Sequence, residues 1–98
     1  TPEFRLISSS SATYDVGNGG SHMTLVFNLA GIQTITNFTN AKLGQQLTII
    51  NTTANNLTID RTNAYLSGGV DAVLGQYDSI RLVHYARWYA LGAVSANS

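Results

Sequence analysis

Apolar and polar side chains alternate along most of this chain with a period of two, the spacing of β-strands. The pattern is clearest over residues 46–51, where Leu47 and Ile49 share one side, and 55–60, where Leu57 and Ile59 do the same. The short Thr52-Thr53-Ala54 link between them predicts a hairpin, with Asn56, Thr58 and Asp60 facing water. Upstream, residues 24–30 read as a strand with Leu25, Phe27 and Leu29 on one face. Gly31 separates it from a more polar strand over 32–38, and residues 40–45 turn around Gly44. Two short strands follow, at 64–67 before Gly68-Gly69 and at 73–75. The segment 78–94 departs from this alternation. It predicts a hairpin reversing at 85–87, with Ile80, Leu82 and His84 on one face of the first strand and Arg81, Val83 and Tyr85 on the other. In the second strand Trp88, Ala90 and Val94 oppose Tyr89 and Leu91, so both faces are largely apolar. A sheet with one face in water alternates cleanly. This hairpin therefore needs cover on both sides, and a single small domain has little material for two covers. Burial against further copies of the chain follows as the expectation.

Composition narrows the fold class to all-β. Thr, Ile and Val recur throughout, whereas the chain has one Glu and one Lys, the residues from which helix surfaces are built. The expected architecture is a small antiparallel β-sandwich or β-prism-like domain that packs against further copies of the chain. Ninety-eight residues make one domain. Residues 1–22 are expected to form a lead-in or linker, with loops at 8–11 and 16–20, and residues 23–98 the β-domain, ending in a polar tail at 95–98. The chain starts without a methionine, and the expectation is a piece of a longer protein.

Charge and chemistry then remove whole function classes. Five basic side chains balance five acidic ones without clustering, so no nucleic-acid partner is expected. No apolar run approaches the ~20 residues of a membrane-spanning helix, and no membrane partner is expected. With 10% charged residues, the surface is dressed by Ser, Thr, Asn and Gly, which suits a rigid extracellular or virion-type particle better than a cytosolic enzyme. Cysteine is absent, which removes disulfides and thiolate metal sites. No phosphate-cradling glycine loop or nucleophile elbow is present, and no cofactor is expected. Asp60, Asp71 and Asp78 are the carboxylates that a glycosidase would need to pair across a cleft, but their positions read as turn residues. His22, in a Gly/Ser loop, and His84, read as a hydrogen-bonded structural histidine, are weak metal candidates, brought together only around a threefold axis.

The apolar positions divide into two sets. Phe27, Leu47, Ile49, Leu57, Ile59, Ile80 and Leu82 are the expected core of each protomer. Val83, Tyr85, Trp88, Tyr89 and Leu91 are the candidates for a surface shared between protomers, since aromatics with a polar handle favour interfaces. Tyr65, Tyr77, Arg87 and Trp88 are candidates for contact with glycan, Arg by clamping acidic sugars. A monomeric carbohydrate-binding module built on Trp88 and the tyrosines is the alternative to a trimer.

From residue 35 onward, the order of elements resembles the C-terminal domain of bacteriophage tail spikes and tail fibres. The matching stretches are Gly44-Gln45-Gln46-Leu47-Thr48-Ile49, then Asn56-Leu57-Thr58-Ile59, then Asn63-Ala64-Tyr65-Leu66-Ser67-Gly68. The last is Asp78-Ser79-Ile80-Arg81-Leu82-Val83-His84-Tyr85 with Trp88. The resemblance implies a non-catalytic tip on the virion tail, an intertwined or side-by-side homotrimer that follows a β-helical or fibrous shaft. Such a tip holds three chains in register and, in some members, touches bacterial surface polysaccharide.

Overall fold

A computed structural model of the chain describes residues 3–17 and 20–96. Expectations for the first two residues, for Asn18 and Gly19 in the glycine loop and for the last two of the tail lie outside the described residues. The strands are β1 (Glu3–Ile7), β2 (Thr13–Asp15), β3 (His22–Phe27), β4 (Gln33–Ile35), β5 (Asn37–Thr39), β6 (Gln46–Asn51), β7 (Leu57–Ile59), β8 (Ala64–Tyr65), β9 (Ala72–Leu74), β10 (Ser79–Tyr85) and β11 (Arg87–Ala90). Two 3₁₀ turns, Arg61–Asn63 and Ser67–Gly69, are the helical segments among the described residues. The chain is all-β, as its composition predicts.

Three sheets enclose one core. A six-stranded sheet runs β1-β3-β6-β10-β11-β8, and a three-stranded sheet β4-β7-β9 and a two-stranded sheet β2-β5 complete the fold. The first half is wound as parallel coils. Met23 lies beside Leu47, Gln33 beside Leu57 and Thr13 beside Asn37, each pair 24 positions apart. β1 adds to β3 in the same parallel sense. Such regular winding stacks successive turns of chain so that each buries its neighbour's apolar face, as in a solenoid. The second half reverses direction, with β10 antiparallel to β6 and to β11, and β9 antiparallel to β7.

This winding corrects two expectations. The sheets are mixed rather than antiparallel throughout, and β6 and β7 do not form a hairpin. β6 pairs with β3 and β10, whereas β7 crosses to the three-stranded sheet and pairs with β4 and β9. The turn between them is a corner, fixed by Asn51. Buried at 1% exposure, Asn51 donates through Nδ2 to the Asn55 and Leu74 carbonyls and accepts at Oδ1 from the Thr53 amide and hydroxyl. The Thr52 hydroxyl and amide donate to the Phe27 carbonyl one coil away. A side chain that satisfies three backbone groups at a bend diverts the chain between sheets where a two-residue turn would fold it back.

All seven expected core residues are buried, with Leu25, Phe27 and Leu29 beside them. A column of rings crosses the core. Tyr14 meets Phe27 edge-on at 5.3 Å, Phe38 meets Trp88 edge-on at 6.0 Å, and Tyr14 and Phe38 stack at 6.4 Å. The described residues of the expected lead-in contribute to this core. β1 pairs with β3, Val16 is fully buried where a flexible loop was expected, and Gln45 ties that turn down by donating to the Val16 and Gly20 carbonyls.

Candidate functional site

Strand alternation sorts the six-stranded sheet into two faces. Met23, Leu25, Phe27, Leu47, Ile49, Ile80, Leu82 and Trp88 point inward, where the two smaller sheets cover them. The opposite side chains form the outer face, and the strand registers arrange them in three rows. One runs Leu6–Val26–Ile50–Ser79, the next Phe4–Thr24–Thr48–Arg81, the third His22–Gln46–Val83–Tyr89–Tyr65. No element of the described chain covers this face. Phe4 and Leu6 are 69% and 59% exposed, and Tyr85 65%, with Tyr65, Tyr89 and Leu91 also exposed. Its charged side chains are Arg81 and Arg87, and none of its described side chains is a carboxylate. The second face expected of the hairpin is bare in the protomer; its apolar side chains form the Leu6–Val26–Ile50 row and the Val83–Tyr89–Tyr65 end, with His22, Thr24, Gln46, Thr48 and Arg81 between them.

One end of the face is built from aromatic rings. Tyr65 of the edge strand β8 packs on Tyr89 at 4.9 Å between centroids, and the Arg87 guanidinium sits 4.9 Å over the Tyr65 ring. Arg87 also donates to the Thr62 carbonyl, a second contact that holds the guanidinium over the ring. Beside this cluster a depression of about 360 Å³ is lined by Arg61, Thr62, Ala64, Tyr65, Leu66 and Gly69.

The structure thus brings together Tyr65, Arg87 and Tyr89, with Tyr85 opposite Arg87 and Val83 opposite Tyr89. Leu91 continues the same side, its amide donating to the Arg81 carbonyl. Tyr77 stands apart, in the turn before β10, at the other end of that strand from Tyr85. Trp88 requires a correction. It is 1% exposed within the single protomer, and its indole N–H donates to the Phe38 carbonyl at 3.1 Å. It points inward because it pairs with His84 on the core side of the hairpin, so neither a neighbouring protomer nor a sugar can stack on its face. The carbohydrate module that relied on an exposed Trp88 goes with it. Sequence reasoning missed Phe4 and Leu6, although the Phe4/Arg5/Leu6/Ile7 alternation carries the signal.

The histidines also differ from expectation. His22 opens β3 rather than sitting in a loop, with Nε2 2.9 Å from Gln46 Oε1. His84 packs on the Trp88 ring at 4.7 Å, but its buried Nδ1 has no hydrogen-bond partner. Among the described residues no three His, Asp or Glu side chains gather as a metal would require. The aspartates hold turns. Asp60 accepts from the Thr62 hydroxyl and amide, Asp71 from the Arg61 amide, Asp78 from the Gly75 amide. The Thr62 hydroxyl, then its amide, hold the Asp60 carboxyl below the usual carboxylate range. Asp15 is lowered by the Gly17 amide first and by the Asn40 side chain second. Burial pushes the Tyr14 phenol up.

Comparison with known proteins agrees with this architecture. No curated protein sequence matches the chain. Among solved structures, a chain described as "Structure of a chaperone-substrate complex" superposes with a TM-score of 0.60 at 14% identity. The match covers 92% of this chain and 17% of that one, and it shows a shared fold within a much longer polypeptide. The model of the phage depolymerase C-terminal beta sandwich domain matches residues 6–89. Spanning β1 through Tyr89 and all three sheets, that match places the chain in the family of phage depolymerase C-terminal β-sandwich domains.

Proposed function

We propose that this domain is the homotrimerisation module at the distal end of a phage tail spike, and that the outer face of its six-stranded sheet is the surface the three chains share. One observation carries the reading: a sheet whose inner face is covered presents an outer face with exposed Phe4, Leu6, Tyr65, Tyr85 and Tyr89, which no described residue covers. Burying a large apolar side chain contributes about 1.5–3 kcal/mol. Covering Phe4, Leu6, Tyr65, Tyr85, Tyr89 and Leu91, each already partly buried, contributes on the order of 5–10 kcal/mol per protomer. That matches the whole net stability of an ordinary domain.

Charge favours a ring over a pair. Arg81 and Arg87 are the charges on the face, so a back-to-back contact between two identical faces brings like charges together. A heterologous contact, in which the face meets a different surface of the next copy, avoids this and closes as a threefold ring. The module itself performs no catalysis, and degradation of polymer belongs to the preceding part of the spike.

Size-exclusion chromatography with light scattering tests the reading. The expected mass is three chains at micromolar concentration. Leu6→Asp and Leu91→Asp change side chains more than half exposed in the single protomer, so the protomer fold tolerates them while the assembly weakens. A folded wild-type monomer at micromolar concentration overturns the proposal.

A further inference from the structure

We infer that the surface of the next copy that meets the six-stranded sheet is the outer face of the three-stranded sheet β4-β7-β9, so that the ring closes sheet face on sheet face. The inference rests on the assembly proposed above and names the second side of its contact. Strand register builds this face. Thr34, Thr58 and Val73 lie side by side across the three strands. Alternation puts Ile32, Asp60 and Asp71 on the same side, while Leu57, Ile59, Ala72 and Leu74 fill the core. Ile32 is 76% and Val73 50% exposed, so this face carries bare apolar side chains of its own.

Charge matches the two faces. The six-stranded sheet offers Arg81 and Arg87 and no carboxylate among its described outward side chains, whereas the three-stranded sheet offers Asp60 and Asp71. Those two flank the Ile59–Ala72 pair at one end of β7 and β9. Each holds its turn through Oδ1, which leaves Oδ2 without a hydrogen bond among the described residues. That end stays net negative with Arg61 counted, and the Arg61 guanidinium donates to the Gly69 carbonyl. Of the two cations opposite, Arg87 is engaged by the Thr62 carbonyl and the Tyr65 ring, while Arg81 reaches Gln46 Oε1 at 3.4 Å. Arg81 is therefore the cation available to a neighbour's carboxylate. Two like faces set Arg81 against Arg81, and unlike faces set it against Asp60 and Asp71; complementarity of this kind selects which surfaces meet. Size agrees. A stable interface takes about 800 Å² from each partner, close to one broad side of a domain whose Cα atoms span 32 × 28 × 22 Å. Face-to-face packing of sheets supplies that area, and an edge contact does not.

Cross-linking tests the pairing, because the chain has no cysteine and every thiol is one introduced. Thr48 points out of the six-stranded sheet and Val73 out of the three-stranded one, with the core of the protomer between them. A short bis-maleimide thus joins Thr48→Cys to Val73→Cys only between copies. The assembled Thr48→Cys/Val73→Cys double variant is expected to run as covalent dimers and trimers on denaturing gels, and each single variant as monomer. Arg81→Glu is expected to raise the concentration at which the trimer dissociates at least tenfold, and further than Arg81→Gln does. If the double variant does not assemble, the Arg81 pair decides alone. Light scattering separates the two readings. A wild-type monomer overturns the assembly and this contact with it. A trimer whose double variant does not cross-link, whose Thr48→Cys variant links alone, or which Arg81→Glu tightens overturns the pairing of faces and leaves the trimer standing.

Discussion

Ala86 reverses the chain alone between the paired residues Tyr85 and Arg87, at φ 62°. A side chain with a Cβ in that region costs about 1–2 kcal/mol, and glycine removes this cost at an entropic penalty of ~0.5–1 kcal/mol. Ala86→Gly is therefore expected to stabilise the fold by about 0.5–1 kcal/mol, read as a higher urea midpoint at constant slope. At Gly17 the same chemistry runs the other way, because an added Cβ would lie 2.8 Å from Asn40 Cβ and clash where β2 closes on β5. The carboxylates beside these turns set the acid response. Asp15 and Asp60 are held lower in the folded chain than their unfolded value near 3.9. The unfolded chain then binds protons first on acidification, so their stabilisation is present above about pH 4 and fades as pH falls through the folded values. Urea midpoints are expected to decline below pH 4, and the Asp15→Asn/Asp60→Asn double variant to give a flatter profile there. An unchanged profile in the double variant would show that other groups govern acid unfolding.

The longer strands were legible in the sequence and strand partnership was not; β1 and β2 were read as lead-in, and the single strand expected over 32–38 breaks at Thr36 into β4 and β5 of different sheets. The apolar alternation at 46–51 and 57–59 marks both strands and the correct inward residues, because burial on one face imposes period two wherever the strand pairs. Pairing depends on the path between strands, and the corner at Asn51 sends β7 to another sheet. A faint echo did record the winding. His22-Met23-Thr24-Leu25-Val26 aligns with Gln46-Leu47-Thr48-Ile49-Ile50, and Gln33-Thr34-Ile35 with Leu57-Thr58-Ile59, at the shared offset of 24. Only two Thr positions and the last Ile are identical across these aligned stretches, so the echo lies in hydropathy more than in residue identity. Trp88 was misplaced for a related reason. On a hairpin apolar on both sides, the sequence does not distinguish the covered face from the bare one, and the deciding partner, the Phe38 carbonyl, is 50 positions away. With Phe38 and Tyr14, Trp88 joins β11 to the two-stranded sheet β2-β5. Trp88→Ala is expected to cost about 3–5 kcal/mol, and Trp88→Phe about 1–3 kcal/mol, since the ring is kept but the Phe38 carbonyl loses its donor. Chemical denaturation monitored by far-ultraviolet circular dichroism measures both. Equal costs would mean that the retained ring contributes nothing, whereas a Trp88→Phe variant as stable as the wild type would mean that the indole hydrogen bond contributes nothing.

At the scale of the molecule, the sandwich solves half of a packing problem. Two small sheets suffice to cover one face of the six-stranded sheet, and no described residue covers the other. If other chains supply that cover, stability becomes a function of concentration, because three unfolded chains must meet to regain one folded assembly. For a trimer unfolding directly to monomers, each tenfold dilution lowers stability by roughly 0.9 kcal/mol per protomer, two-thirds of the 1.4 kcal/mol that a tenfold change in concentration represents. For a domain of this size that is a fall in Tm of roughly 4–7 °C. Scanning calorimetry over a hundredfold concentration range is thus expected to show two such steps. Leu6→Asp is expected to lower Tm at every concentration by weakening the outer face, whereas Ala86→Gly raises it from within the protomer and leaves the dilution dependence intact. A midpoint indifferent to dilution would mean that each chain is stable with its apolar face bare, and the assembly would then need a driving force other than this sheet.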